Sequence, residues 1–187
     1  MRDTNQQIIK FENEKNLSYE DFYVSKSNHH VFKFLYNWPK WEKNFVNIIG
    51  ENFSGKTHLI NIFLKKFKGV KLDCKSLNDG HLKEVKIHEN VVLENLSNNV
   101  NEKLIYTLFN IIEQDNKYLI VTSTVPIVSI QFKLSDLRSR TKFFLLQNIE
   151  KPDDDLIFAL LIKNFSDRQI TLEKRLLDFI VKRIDRS

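Results

Sequence analysis

The run Phe45-Val46-Asn47-Ile48-Ile49-Gly50-Glu51-Asn52-Phe53-Ser54-Gly55-Lys56-Thr57-His58-Leu59-Ile60 decides how the rest of the chain is read. Its first five residues are β-branched or aromatic apart from Asn47, and they run into a glycine, as a buried strand does. After Lys56 the apolar period changes, and Leu59, Ile60, Ile62, Phe63, Leu64 and Phe67 share one broad helical face. The loop between strand and helix fits G-x-x-x-x-G-K-[ST] at every fixed position, with Gly50, Gly55, Lys56 and Thr57. The chemistry needs each part. Glycines let the backbone of the loop, Ser54 included, aim its N–H groups at phosphate oxygens, and the following helix adds its positive end. A lysine reaches the β- and γ-phosphates, and the threonine hydroxyl ligates Mg²⁺. The chain has only 4 Gly and 3 Pro, so a glycine pair at this spacing marks a structural need. The expectation is a site for ATP or ADP with Mg²⁺.

Working outward, Val31, Phe32, Phe34 and Leu35 have helical spacing that stops at Trp38-Pro39, where proline cannot continue the helix. On the other side, Gly69-Val70-Lys71-Leu72 and Asn90-Val91-Val92-Leu93 read as strands. Leu104, Ile105, Leu108, Phe109, Ile111 and Ile112 read as an amphipathic helix. Tyr118-Leu119-Ile120-Val121 and Phe143-Phe144-Leu145-Leu146 complete five strands. Strand and helix alternate over residues 21–150, which predicts an α/β domain with a mainly parallel five-stranded sheet flanked by helices. From Lys151 the pattern becomes helical. Pro152 and Asp153-Asp154-Asp155 are a helix start, with acids at the positive end of the dipole. Leu156, Ile157, Leu160, Leu161 and Phe165 continue it, and Leu172 to Ile184 carry a second helix. Residues 1–20 are polar and read as an arm.

Composition bounds the class. A chain of 187 residues with 42% hydrophobic and 28% charged residues is that of a globular protein, not a disordered one. No apolar run nears the roughly 18 residues that span a bilayer, the polar N-terminus has no signal core, and a lone Cys74 excludes an internal disulfide. The expectation is a soluble, cytoplasmic protein with no membrane contact. A net charge of +5 permits contact with nucleic acid without requiring it, so direct DNA contact stays open. His29-His30 lack further ligands at zinc spacing and predict no metal beyond Mg²⁺.

A nucleotide site of this kind needs an acid at the end of a second hydrophobic strand to hold the metal or its water. Val91-Val92-Leu93-Glu94-Asn95 supplies Glu94. The next position, where a base would polarise water, holds Asn95, which cannot take a proton. Nucleotide binding with slow or absent hydrolysis by this chain alone follows.

These motifs, in this order, resemble the AAA+ P-loop domain of the bacterial replication initiator DnaA and, more closely, the shorter Hda-type regulators of that family. Asp21-Phe22-Tyr23-Val24 with Asn28 looks like the segment that cradles the adenine, and Lys56-Thr57-His58-Leu59 is similar to the family's K-T-H-L. Val92-Leu93-Glu94-Asn95 resembles the regulators' form of the acidic motif. Val121-Thr122-Ser123-Thr124 looks like the sensor-1 strand end, although Thr124 stands where the family usually has Asp. Asp136-Leu137-Arg138-Ser139-Arg140 is similar to the segment carrying the arginine finger, with Arg140 as the finger. Residues 151–187 resemble the start of the helical lid, cut short before the sensor-2 arginine. Gln6, Ile9 and Phe11 resemble, loosely, the Gln-led motif by which such regulators dock on the DNA sliding clamp, the physics being peptide-in-groove recognition. The resemblance implies a regulator held at the clamp beside the initiator DnaA, with Arg140 promoting ATP hydrolysis there. A homo-oligomer stays open. The alternatives are a DnaA-like or helicase-loader-like AAA+ ATPase acting on DNA and, less in keeping with the finger and lid segments, a small-molecule kinase.

Overall fold

The five apolar runs form five strands, β1 Phe45–Ile49, β2 Val70–Asp73, β3 Asn90–Leu96, β4 Tyr118–Ser123 and β5 Leu145–Asn148. They lie in the order β2-β3-β4-β1-β5, and the pairings among the described residues are parallel. The computed structural model describes residues 22–171 and 173–184. Helices α1 His29–Tyr36, α2 Lys56–Phe67, α3 Asp79–Ile87, α4 Glu102–Gln114 and α5 Ser135–Thr141 flank the sheet, and α6 Asp154–Asp167 and α7 Lys174–Val181 follow it.

Strand alternation sorts the side chains onto the two faces. Val46 and Ile48 of β1, Val92 of β3 and Ile120 of β4 pack with Val31 and Leu35 of α1 and with Leu59, Ile60 and Phe63 of α2. Their strand neighbours Val91, Leu93, Leu119 and Val121 pack on the other face with α3, α4 and Leu137 of α5. Both faces are covered, as a parallel sheet requires. Burying a ring such as Phe109, at 0% exposure, contributes roughly 2–3 kcal/mol.

Chemistry at the helix ends fixes their lengths. Asn90, at the start of β3, donates from Nδ2 to the carbonyls of Phe67 and Lys68 at 3.0 and 3.1 Å, closing α2. Asp153 caps α6 by accepting from the Leu156 amide at 2.8 Å. Asn78 caps α3 by accepting from the Gly80 and His81 amides. The last strand begins at Leu145, two residues later than the apolar run implies. The Phe143 and Phe144 amides still close the end of α5, on Arg140 and Thr141. The Phe144 ring turns inward onto Phe45 and Phe109, with centroids 5.3 and 5.4 Å away, while Phe143 is exposed. The second C-terminal helix covers Lys174–Val181, and Leu172 lies outside the described residues. No described helix is long and apolar enough to cross a membrane.

Candidate nucleotide site

The loop 50–55 leaves the C-terminal end of β1, between β4 and β5. Its conformation depends on its glycines. A Cβ on Gly50 would stand 2.5 Å from Ser54 Oγ and 3.3 Å from Ile149 Cβ. Gly55 has φ +90, a left-handed conformation that glycine adopts without strain, and it is the N-cap of α2. The Gly50 amide donates to the Ser123 carbonyl at 3.2 Å, which fixes the loop to the end of β4. The Leu59 amide is paired with Gly55 O at 3.0 Å. By helix geometry the amides of Lys56, Thr57 and His58 lack acceptors in their own helix and form a positive end facing the loop.

Lys56 turns back into this loop, donating from Nζ to the carbonyls of Gly50 and Glu51, each at 2.7 Å. An ammonium in a cradle of amides and carbonyls is placed to move to a phosphate. Burial holds its proton affinity below the ordinary lysine value, and the nearby Glu94 carboxylate opposes that shift.

Glu94 is 7% exposed. Its Oε2 lies 3.6 Å from Lys71 Nζ, and its Oε1 is buried without a hydrogen-bond partner. A buried orphan carboxylate oxygen suits a metal ion or its water, and Thr57 is exposed at the head of α2. Thr57 and Glu94 therefore fit Mg²⁺, which when bound would neutralise phosphate charge. Asn95 has φ +62 and sits in a register irregularity between Leu93 and Leu96. Its Nδ2 donates to Asp73 Oδ2 at 2.5 Å, so the side chain is tied to the end of β2.

The strand end of β4 is held as firmly. Thr122 Oγ1 accepts the Asn95 amide at 3.1 Å. Ser123 Oγ donates to the Val125 carbonyl at 2.6 Å and accepts from Asn47 Nδ2 at 2.8 Å. Both hydroxyls are buried, whereas Thr124 is exposed. Segment 22–28 lies against the same loop. The Phe22 ring meets His58 edge-on at 5.0 Å and stacks on Phe32 at 5.9 Å. Asn28 folds the segment by accepting the Ser25 amide at 2.9 Å and donating to the Tyr23 carbonyl at 3.0 Å. Val24 is exposed beside Tyr23, His29, His30 and Asp155 along an open cleft of about 500 Å³.

Arg140 is elsewhere. It closes α5, and β5 then begins level with Val46 of β1, so it lies toward the N-terminal edge of the sheet, opposite the phosphate loop. Its Nη1 donates to Glu113 Oε2 of α4 at 2.6 Å, and the guanidinium lies 5.3 Å from the Tyr106 ring. The clamp-motif residues Gln6, Ile9 and Phe11 lie outside the described residues.

Several positions that shape the site carry no motif. Asn47, 0% exposed, donates to the Val121 carbonyl at 3.2 Å and accepts the Ile127 amide at 2.8 Å, besides its bond to Ser123. A polar residue inside an otherwise apolar strand run was the available signal. Lys71 and Asp73 also go unmarked in sequence, because their roles depend on strand register.

No family model matches the chain, and no curated protein matches it. Solved structures do. The crystal structure of a DNA replication initiation factor superposes with a TM-score of 0.72 at 21% identity, over 88% of this chain and 59% of that one. DnaA from Aquifex aeolicus bound to AMPPCP gives 0.69 at 19%, over 89% of this chain and 60% of that one. Domain III of the replication initiation protein DnaA from Thermotoga maritima gives 0.69 at 15%, over 90% and 81%. The chain spans about three-fifths of the length of the first two. At these identities the likeness establishes the fold alone, a five-stranded parallel sheet flanked by helices as in those replication proteins.

Proposed function

We propose that this chain is a nucleotide-binding regulator of DNA replication initiation, of the Hda type. Its phosphate loop holds ADP or ATP with Phe22, Val24, Asn28 and Gly50 to His58. The nucleotide sets conformation and is turned over slowly or not at all, because Asn95, tied to Asp73, offers no base for water. Arg140 acts on the initiator DnaA, entering its ATP site and stabilising transition-state charge there. Residues 1–20 form the arm, with Gln6, Ile9 and Phe11 docking on the sliding clamp. Residues 21–150 are the nucleotide-binding domain, and residues 151–187 are a helical segment of the lid type.

The observation that carries this reading is the placement of Arg140 at the sheet edge opposite the chain's own phosphate loop. A cation there cannot reach its own nucleotide but can reach a neighbour's. Likeness to nucleotide-bound DnaA supports the choice of neighbour. The test measures ATP hydrolysis by purified DnaA with DNA-loaded clamp and either the wild-type chain or Arg140→Ala. Wild type should stimulate hydrolysis, and the variant should bind ADP equally but not stimulate. Equal stimulation by both removes the finger from Arg140. Steady turnover by the isolated chain, lost in Lys56→Ala, would favour a DNA-acting ATPase instead.

A further inference from the structure

Lys71 of β2 and Glu94 of β3 emerge on the same face of the sheet. The register sets Lys71 opposite Val92 and Asp73 opposite Glu94. Val70, Leu72, Val91 and Leu93 point into the core under α3 and α4, so the residues between them face α2. Lys71 Nζ lies 3.6 Å from Glu94 Oε2 and donates to Asn61 Oδ1 of α2 at 2.9 Å. The Glu94 side chain is 9% exposed and that of Lys71 37%. A carboxylate so buried needs a counter-charge, and two ammonium groups supply it. One is Lys56, close enough for the Glu94 charge to act on it. The other is Lys71.

When a polyphosphate enters the loop, Lys56 is drawn to it. Lys71 is not, because Asn61 anchors it to the flank of α2. We propose that Lys71 is the resident counter-cation of Glu94, and that this chain consequently binds nucleotide with almost no dependence on a divalent cation. The inference rests on the nucleotide-binding reading and deepens it. Glu94 Oε1 stays open to a metal or its water. A divalent ion arriving there nevertheless meets a carboxylate already paired and an ammonium that repels it. It therefore adds little to affinity. In a site lacking Lys71 the same ion would be the sole partner of a buried acid.

The experiment measures binding of a fluorescent ADP analogue by anisotropy, in magnesium chloride and in EDTA. The full chain is used as wild type, Lys71→Met and Lys71→Arg. Wild-type affinities should agree within about threefold, the scale of an exposed ion pair. Lys71→Met should bind about tenfold or more weakly in EDTA than in magnesium, a change of about 1.4 kcal/mol. Lys71→Arg keeps the charge and should behave as wild type, whereas a merely structural role for the stem would leave Lys71→Met, which keeps an apolar stem, unchanged as well. A wild-type affinity that falls tenfold in EDTA overturns the proposal, as does a Lys71→Met variant that ignores magnesium. Wild type that binds in neither buffer overturns the nucleotide reading itself. Should Lys71→Met not fold, Lys71→Gln replaces it in the same two buffers, and a Lys71→Gln variant that ignores magnesium overturns the proposal.

Discussion

Asn47 and Ile127 stand 80 positions apart in sequence and are joined by a buried hydrogen bond, from the Ile127 amide to Asn47 Oδ1 at 2.8 Å. The same side chain donates to Ser123 Oγ and the Val121 carbonyl. One amide thereby ties the strand that feeds the phosphate loop to the strand end beside it and to the turn Ile127–Ser129. Asn47→Ala strands a buried amide and loosens a buried hydroxyl. Such groups cost about 1–3 kcal/mol each, so the variant should lose about 2–4 kcal/mol in urea denaturation. A loss below about 1 kcal/mol would mean that water or a shifted backbone replaces the amide.

Gly50 and Ser54 are in close approach, and the sequence motif alone does not say which neighbour enforces the glycine. An alanine methyl at Gly50 would press on Ser54 Oγ at 2.5 Å, and Ile149 at 3.3 Å blocks retreat on the other side. Gly50→Ala should weaken ADP binding by tenfold or more, about 1.4 kcal/mol. Adding Ser54→Gly should restore part of the loss. Equal defects in the single and double variants would move the clash to Ile149.

Much of this architecture was legible because it depends on local pattern. The five strands, the phosphate loop and the α2 face follow from period and from glycine spacing. Helix α3, Asp79–Ile87, was missed because it buries only Leu82 and Val85 and shows a thin apolar stripe. The start of β5 was misplaced because aromatic residues in sequence do not reveal that Phe144 belongs to the core beneath the sheet. Lys71, Asp73, Asn47 and Glu113 matter only once register and packing bring them to partners far along the chain. Residue type alone could not single them out.

Glu102, in the first turn of α4, accepts the Lys133 and Leu134 amides at 2.8 Å each and so holds the entry to α5, the helix of Arg140. These two amides hold its carboxyl below the ordinary glutamate value. A carboxylate with a lowered folded-state pKa stabilises the fold above its unfolded pKa, and that contribution is lost as pH falls through the lowered value. Glu102→Gln should therefore be less stable than wild type at neutral pH. The gap should narrow as pH drops below about 4, the ordinary carboxylate range, when followed by thermal melting. A gap independent of pH would mean that the amide bonds do not depend on ionisation.

Arg140 is held by Glu113, whose side chain is 64% exposed, and such a pair contributes about 0–1 kcal/mol after solvent screening. Glu113→Gln should leave stability and ADP affinity nearly unchanged while freeing the guanidinium to seek another acceptor. If Arg140 works on a neighbouring nucleotide, stimulation of DnaA should persist or rise in Glu113→Gln and vanish in Arg140→Ala. Loss of stimulation in both variants would mean that the ion pair positions the arginine for use, making Glu113 a positioning residue.

Phe53 sits in the phosphate loop with φ +64 and is 99% exposed. A side chain that buries nothing cannot offset a left-handed backbone, which costs a bulky residue about 1–2 kcal/mol. Asparagine tolerates this conformation and, unlike glycine, does not greatly enlarge the freedom of the unfolded chain. Phe53→Asn should therefore raise unfolding free energy by up to about 1 kcal/mol, and Phe53→Val should lower it, since β-branched residues fit that region worst. ADP affinity should stay within about twofold in the Asn variant, because the backbone path is kept and affinity depends on that path. If Phe53→Asn fails to stabilise while ADP affinity falls, the ring has a contact in the nucleotide-bound state that the free loop does not show.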